Sequence, residues 1–154
     1  MLRESTPADN KMKIKKVKRF SYRVYNAVLE LLPQLDPDAT PLTEIRLKEL
    51  LKSKGIHLFV AENGNKQIAG MLTIGTYDIP TGTKVWIEDV VVDESLRGKG
   101  IGRELTLFAI DFAKSKGYKA IELTSRPSRI AANQLYRDLG FVLRETNVYR
   151  YNFK

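Results

Sequence analysis

Three glycines at alternate positions, Gly98, Gly100 and Gly102, are interleaved with Arg97, Lys99, Ile101 and Arg103 in the run RGKGIGR. Glycine admits positive φ and lets the backbone approach a ligand closely. Successive N–H groups in such a turn make a concave nest for an anion. Downstream, Leu105, Phe108, Ala109 and Phe112 fall at i, i+3, i+4 and i+7, so the loop opens a helix laid on a sheet. The positive end of that helix then points at the loop. Arg97, Lys99 and Arg103 add full charge. These types at this spacing suit the binding of a phosphate or pyrophosphate.

Two other phosphate loops fit less well. A Walker A loop requires G-x-x-x-x-G-K-[ST], and Lys99 is followed by Gly100, so the hydroxyl for magnesium is missing. A dinucleotide fingerprint requires G-x-G-x-x-G, and its third glycine position is Arg103. Glu122, about 20 residues past the loop, does stand where a ribose-binding acid is expected. Against it, the five residues Asp93 to Arg97 separate the preceding strand from Gly98, and the pattern holds one βαβ unit where such domains usually have two halves.

The elements that must position this loop follow from periodicity and punctuation. Residues 1–10 read as a loose tail and 11–154 as one domain. KMKIKKVKRF alternates lysines with Met12, Ile14 and Val17, the pattern of an edge strand whose lysines face water and block edge pairing. Ser21 caps a helix carrying Tyr25, Val28, Leu29 and Leu32. LPQLDPDATP reads as a loop, and Thr40-Pro41 as the start of a second helix that Gly55 closes. IHLFVAE and QIAGMLTIGTY are strands joined at Asn63-Gly64. DIPTGTK is the next turn and VWIEDVVV the next strand. KAIELTS is a strand, SRIAANQLYRDLG a helix capped by Ser128, and NVYRYNF a last strand. The expected fold class is α/β (α+β): a mixed, mostly antiparallel central sheet with helices on both faces. Strand alternation puts Glu88 and Asp89 on opposite faces of VWIEDVVV.

Composition narrows the chemistry. The chain has no cysteine, which excludes disulfides, thiolate metal sites and cysteine nucleophiles. Its single histidine, His57, lies in an apolar strand and reads as a packed residue; a multi-histidine metal site is excluded, and no metal is expected. With 43% hydrophobic and 29% charged residues the chain is of the soluble globular class. No apolar leader and no run long enough to span a bilayer is present, so a cytoplasmic location without a membrane partner is expected. The net charge of +8 favours anionic partners, among them nucleic acid and phosphorylated cofactors. No helix-turn-helix, zinc pattern or aromatic-basic motif accompanies that charge, which argues against nucleic acid.

VVVDESLRGKGIG resembles motif A of the GNAT N-acetyltransferase superfamily, whose signature R/Q-x-x-G-x-G/A is met by Arg97, Gly100 and Gly102. RIAANQLYRDLGF is similar to a later segment of that family through Ala132, Leu135, Tyr136, Gly140 and Phe141. The family's frequent asparagine falls at Arg129 here, and Asn133 lies one helical turn later. The element order from Lys11 to Lys154 also fits. IEDVVVD further resembles glucosamine-6-phosphate N-acetyltransferases, in which the acidic pair lies at the sugar site.

The resemblance implies the GNAT acyl-CoA N-acyltransferase fold, acetyl-CoA as cosubstrate and a primary amine, in a small molecule or a peptide, as acceptor. It implies that the N–H groups of Gly98, Lys99, Gly100, Ile101 and Gly102 take the pyrophosphate, with Arg97, Arg103 and Asn133 nearby. Val90, Val91 and Val92 would pair with the pantetheine arm as an added strand, and an N–H near Val91 would polarise the thioester. Tyr136 is the candidate acid at the leaving sulfur and a cofactor contact. Full proton transfer from a tyrosine of pKa about 10 to a thiolate of about 8.5 is uphill by roughly 2 kcal/mol, so a hydrogen bond to the developing charge is the expected role. Glu88 is the candidate base. Its reference pKa of about 4.3 lies some six units below a lysine-like amine, which points to proton removal through water or to a raised pKa. Asp89 and Ser125 are candidate acceptor contacts. A noncatalytic acyl-CoA-binding or sensor module on the same fold is the alternative, a nucleic-acid-binding domain ranks below it, and a homodimer is left open.

Overall fold

The computed structural model describes residues 12–153. The expected tail over residues 1–10 lies outside them. The chain divides between Thr124 and Ser125 into two compact units.

The first unit is built on a five-stranded sheet in the order β1-β2-β3-β4-β5. Its strands are β1 (Lys13–Lys16), β2 (Ile56–Glu62), β3 (Ile68–Ile79), β4 (Gly82–Val92) and β5 (Glu122–Leu123). The first four pair antiparallel, and β5 joins β4 in parallel. The mixed, mostly antiparallel sheet is therefore as the sequence predicts.

Three helices cover both faces of that sheet. The α1 helix (Tyr22–Leu35) and the α2 helix (Glu44–Lys52) bury Val24, Val28, Leu31 and Leu47 against Leu58, Val60, Met71 and Val91. The α3 helix (Ile101–Ser115) takes the opposite face, since alternate strand residues point to opposite sides. There the Phe59 ring stands edge-on to Phe108 at 4.9 Å and to Phe112 at 5.3 Å. Such pairs add about 0.5–1.5 kcal/mol beyond burial. His57 sits on that side too, its ring centroid 5.3 Å from that of Phe112, with Lys16 Nζ 2.9 Å from Nδ1. Burial first, then the charges of Lys16 and Lys116, holds the imidazole below its ordinary pKa. It is a packing residue, as its apolar strand context implies.

Several local expectations are corrected. α1 runs through Pro33 to Leu35 instead of ending before the proline. Its last turn closes through the Asp36 N–H to the Leu32 carbonyl at 2.9 Å, while Ser21 caps its start as expected. α2 is capped by Thr43, whose hydroxyl accepts from the Arg46 N–H at 3.1 Å, and not by Thr40. Between β2 and β3 the positive φ falls on Lys66 (62°) and not on Gly64. Asn63 folds that turn, its Oδ1 accepting from the N–H groups of Asn65 and Gln67. β3 and β4 continue to Ile79 and Gly82, so Pro80-Thr81 alone forms the turn that DIPTGTK was expected to fill. β5 is two residues, far shorter than KAIELTS.

The second unit holds the α4 helix (Ile130–Asp138). Arg129 occupies the N-cap in place of Ser128, and its side chain makes no capping hydrogen bond to the helix. Gly140, at φ 91°, ends the helix in the left-handed region, and the Phe141 N–H reaches the Tyr136 carbonyl at 3.0 Å. No strand forms over NVYRYNF among the described residues. No helix among them is long and apolar enough to cross a membrane.

Candidate cofactor and acetyl-transfer site

β4 carries both acidic candidates and the valines, and its two edges differ. Along one edge it pairs with β3 from Gly82 to Val92. Along the other, β5 pairs only with Trp86 and Ile87. Beyond Ile87 that edge has no strand partner among the described residues. The backbone of Val90, Val91 and Val92 is thus an open strand edge, the form an extended ligand with amide groups can add to.

A bulge sits where the open edge begins. Thr73 faces Glu88 and Met71 faces Val91, so Asp89 and Val90 together oppose Leu72. Asp89 adopts φ 50°, in the left-handed region that aspartate tolerates better than most residues. The extra residue interrupts the strand alternation between Asp89 and Val90, which share the position opposite Leu72. Glu88 follows Thr73 in register and lies on the same face as Met71 and Val91. Both acidic side chains reach solvent, yet the surrounding protein raises both carboxyls above their ordinary pKa. Burial is the main cause for each, and the Asp89 charge adds to it at Glu88.

From Val92 the chain enters the glycine loop through a single 3-10 turn, Glu94–Leu96. Asp93 organises that turn. Its Oδ1 accepts from the Ser95 N–H at 2.9 Å and from the Ser95 hydroxyl, and these bonds hold its carboxyl below the ordinary value. Its own N–H donates to the Ala69 carbonyl at 2.8 Å, which ties the turn to β3. Arg97 folds back, with Nε donating to the Val92 carbonyl at 3.1 Å.

Gly98 and Gly100 then take φ of 77° and 81°. A Cβ at either would meet nothing within 4 Å, so conformation and not crowding selects glycine there. Gly100 is the N-cap of α3 and supplies no side-chain acceptor. Among the described residues, none of the N–H groups from Gly98 to Arg103 donates to a protein acceptor. Free helix-start donors, two left-handed glycines and exposed Lys99 and Arg103 give the loop the composition and geometry that suit a polyanion. Ile101, 3% exposed, anchors the loop in the core, and the Thr106 hydroxyl donates to the Gly102 carbonyl at 2.8 Å.

The first unit thus brings together Glu88, Asp89, the three valines and the whole loop from Arg97 to Arg103. Ser125, Asn133 and Tyr136 belong to the second unit. Within it Asn133 Nδ2 donates to the carbonyls of Arg126 and Arg129, both at 2.9 Å, which folds the chain ahead of α4. Tyr136 is half-buried, its ring 5.8 Å from that of Phe141. Burial pushes its hydroxyl pKa up, against a smaller opposing effect of the Arg129 charge. Sequence reasoning missed Gln34, Gly70 and Asp93. Of these, only the Asp-x-Ser pattern at Asp93 offered a local signal, that of an Asx turn.

The Acetyltransferase (GNAT) family profile matches residues 22–141. N-acetyltransferase 8B of Rattus norvegicus is 28% identical over 95 residues, 61% of this chain and 43% of that protein. The chain spans less than half the length of the curated relatives it matches. Among solved structures, an aminoglycoside acetyltransferase from an uncultured soil metagenomic sample, in complex with trehalose, superposes with a TM-score of 0.81 at 20% identity, covering 93% of this chain and 96% of that one. AAC(6')-Iy, solved in complex with the bisubstrate analog CoA-S-monomethyl-acetylneamine, has a TM-score of 0.75 at 18% identity and covers 94% and 99%. At these identities the structural likeness establishes the fold.

Proposed function

Because this chain belongs to the GNAT family of acetyltransferases, we propose that it moves the acetyl group of acetyl-CoA to a primary amine by direct attack in a ternary complex. One observation carries the reading. Among the described residues, the β4 edge has no strand partner beyond Ile87 and leads into a loop whose N–H groups from Gly98 to Arg103 have no protein acceptor. A pantetheine arm is extended and carries amides, so it pairs with Val90 to Val92 as a strand would. A pyrophosphate suits the nest and the start of α3, with Lys99 and Arg103 adding charge. The family profile runs across both compact units, which supports reading 11–154 as one catalytic domain.

In this mechanism the amine nitrogen attacks the thioester carbonyl carbon. A backbone N–H near Val91 stabilises the developing oxyanion. The C–S bond breaks, and the thiolate of CoA accepts a hydrogen bond from the Tyr136 hydroxyl. The raised pKa of Tyr136 makes it a poorer acid, which favours hydrogen bonding over full proton transfer. The proton lost by the amine goes to Glu88, directly or through a water. The upward shift at Glu88 narrows its gap to the amine, as a base requires. Asp89 and Ser125 contact the acceptor, with the Asp89 carboxylate matched to a cationic amine.

Calorimetry with acetyl-CoA tests the cofactor half; no heat at high micromolar ligand would remove it. A panel of amino acids, polyamines, aminoglycosides, amino sugars and peptide N-termini, followed by release of free CoA thiol, tests the transfer half. Binding without thiol release on any amine would support the acyl-CoA sensor reading instead.

A further inference from the structure

We propose that Gln34, near the end of α1, is a positioning residue for the cofactor loop. This rests on the cofactor reading above. Gln34 Oε1 accepts from the Glu94 N–H at 2.8 Å, and Nε2 approaches Asp93 Oδ2 at 3.4 Å. Nε2 also donates to the Glu30 carbonyl of its own helix at 3.1 Å. One side-chain amide therefore fastens α1 to the 3-10 turn from which the glycine loop departs. Two properties make that fastening a device for the loop. Asp93 already uses Oδ1 on Ser95, so Oδ2 is the oxygen left to receive an outside donor. The Glu94 N–H opens a three-residue turn and finds its acceptor in Gln34 rather than within the turn.

α1 reaches this point because it continues through Pro33. Had the helix stopped ahead of that proline, as the sequence suggests, Gln34 would lie in a linker with no defined approach to Asp93. The loop beyond is anchored by the Arg97 contact to the Val92 carbonyl, the burial of Ile101 and the Thr106 bond to the Gly102 carbonyl, and the turn it leaves from is held by the Asp93 N–H to Ala69 and by this amide. The Gln34 bonds hold the loop in the shape that aims its free N–H groups at one anion. Removing them lets the loop sample other shapes, and the cofactor must then select the competent fraction.

Gln34→Ala and the near-isosteric Gln34→Met both lose the two contacts, while Gln34→Met keeps the length and apolar packing. Calorimetry with acetyl-CoA should show affinity weakened by about three- to tenfold in both variants. The melting temperature should stay within about 3 °C of wild type, since the contacts are exposed or partly buried. In turnover with an accepted amine, KM for the amine should be unchanged while KM for acetyl-CoA rises. Wild-type affinity in Gln34→Met would show that packing alone matters and overturn the proposal, as would equal loss of thermal stability and binding. Failure of the wild-type protein itself to bind acetyl-CoA is a separate result, and it overturns the cofactor reading together with this one.

Discussion

Gly70 and Val91 lie so close that a Cβ on Gly70 would sit 2.8 Å from the Val91 carbonyl oxygen. The same Cβ would meet Leu105 Cδ1 at 3.3 Å. Gly70 therefore sets how tightly β3, β4 and the first turns of α3 pack, directly behind the valine edge. The obstacle is backbone, which cannot swing aside as a flexible side chain can. Gly70→Ala is expected to destabilise the fold by about 1–3 kcal/mol in urea denaturation, the range of an overpacked core. Unchanged stability would mean that β4 shifts freely, which the bulge at Asp89 could then not position.

At Gly100 the cost is of a different kind. Its φ of 81° is left-handed and the surrounding space is open, so a methyl group meets strain without a clash. Gly100→Ala should lose about 1–2 kcal/mol of stability. Gly100→Trp, which fills the open space, should abolish acetyl-CoA binding in calorimetry. Undiminished affinity in Gly100→Trp would place the pyrophosphate elsewhere.

The acidic pair on β4 has a pH signature of defined sign. A carboxyl whose pKa is raised on folding keeps its proton longer in the folded state than in the unfolded chain. Stability then falls as pH rises from the ordinary carboxylate value to the raised one, and stays lower above it. Asp89→Asn removes that loss and keeps a residue tolerant of φ 50°. It should be more stable than wild type at pH 7, with the difference closing as pH falls into the ordinary carboxylate range. A gap independent of pH would assign the gain to something other than ionisation.

Glu62 titrates with the opposite sign. It is buried, 2.6 Å from Lys15 Nζ and 2.9 Å from an Arg23 guanidinium nitrogen, and its pKa is lowered chiefly by the Lys15 bond. Its stabilisation is complete above the ordinary carboxylate value and is lost as pH falls through the depressed one. Glu62→Gln should be less stable than wild type at pH 7 and converge with it in acid. Urea midpoints from pH 3 to pH 7 check both carboxylates in one series.

Tyr136→Phe separates chemistry from packing in the proposed mechanism. The ring and its contact with Phe141 survive, and only the hydroxyl is lost. Turnover with an accepted amine is expected to fall about 10–100-fold, the range of a lost charge-assisted hydrogen bond of roughly 1.5–3 kcal/mol, while acetyl-CoA affinity stays within a few-fold. Wild-type turnover would leave Tyr136 as a packing residue.

What the sequence by itself determined is local. The alternating glycines, their cations and the periodicity from Leu105 to Phe112 are set within about one loop and one helix, and the structure returns them as a nest at the start of α3. The alternation in β1 was legible for the same reason, while β2 and β3, buried on both faces, were legible as apolar runs bounded by turn residues. What only tertiary structure decided is register and reach. The bulge at Asp89 exists because Glu88 and Val91 must match Thr73 and Met71 on another strand, and no property of IEDVVV alone states that offset. The open edge depends on β5 stopping after two pairs with β4. Gln34 meets Asp93 across 59 positions of sequence, and only a helix that continues past its proline brings them together. Composition and periodicity report which residues prefer which local shape; the acidic pair and the loop acquire their geometry from partners far along the chain.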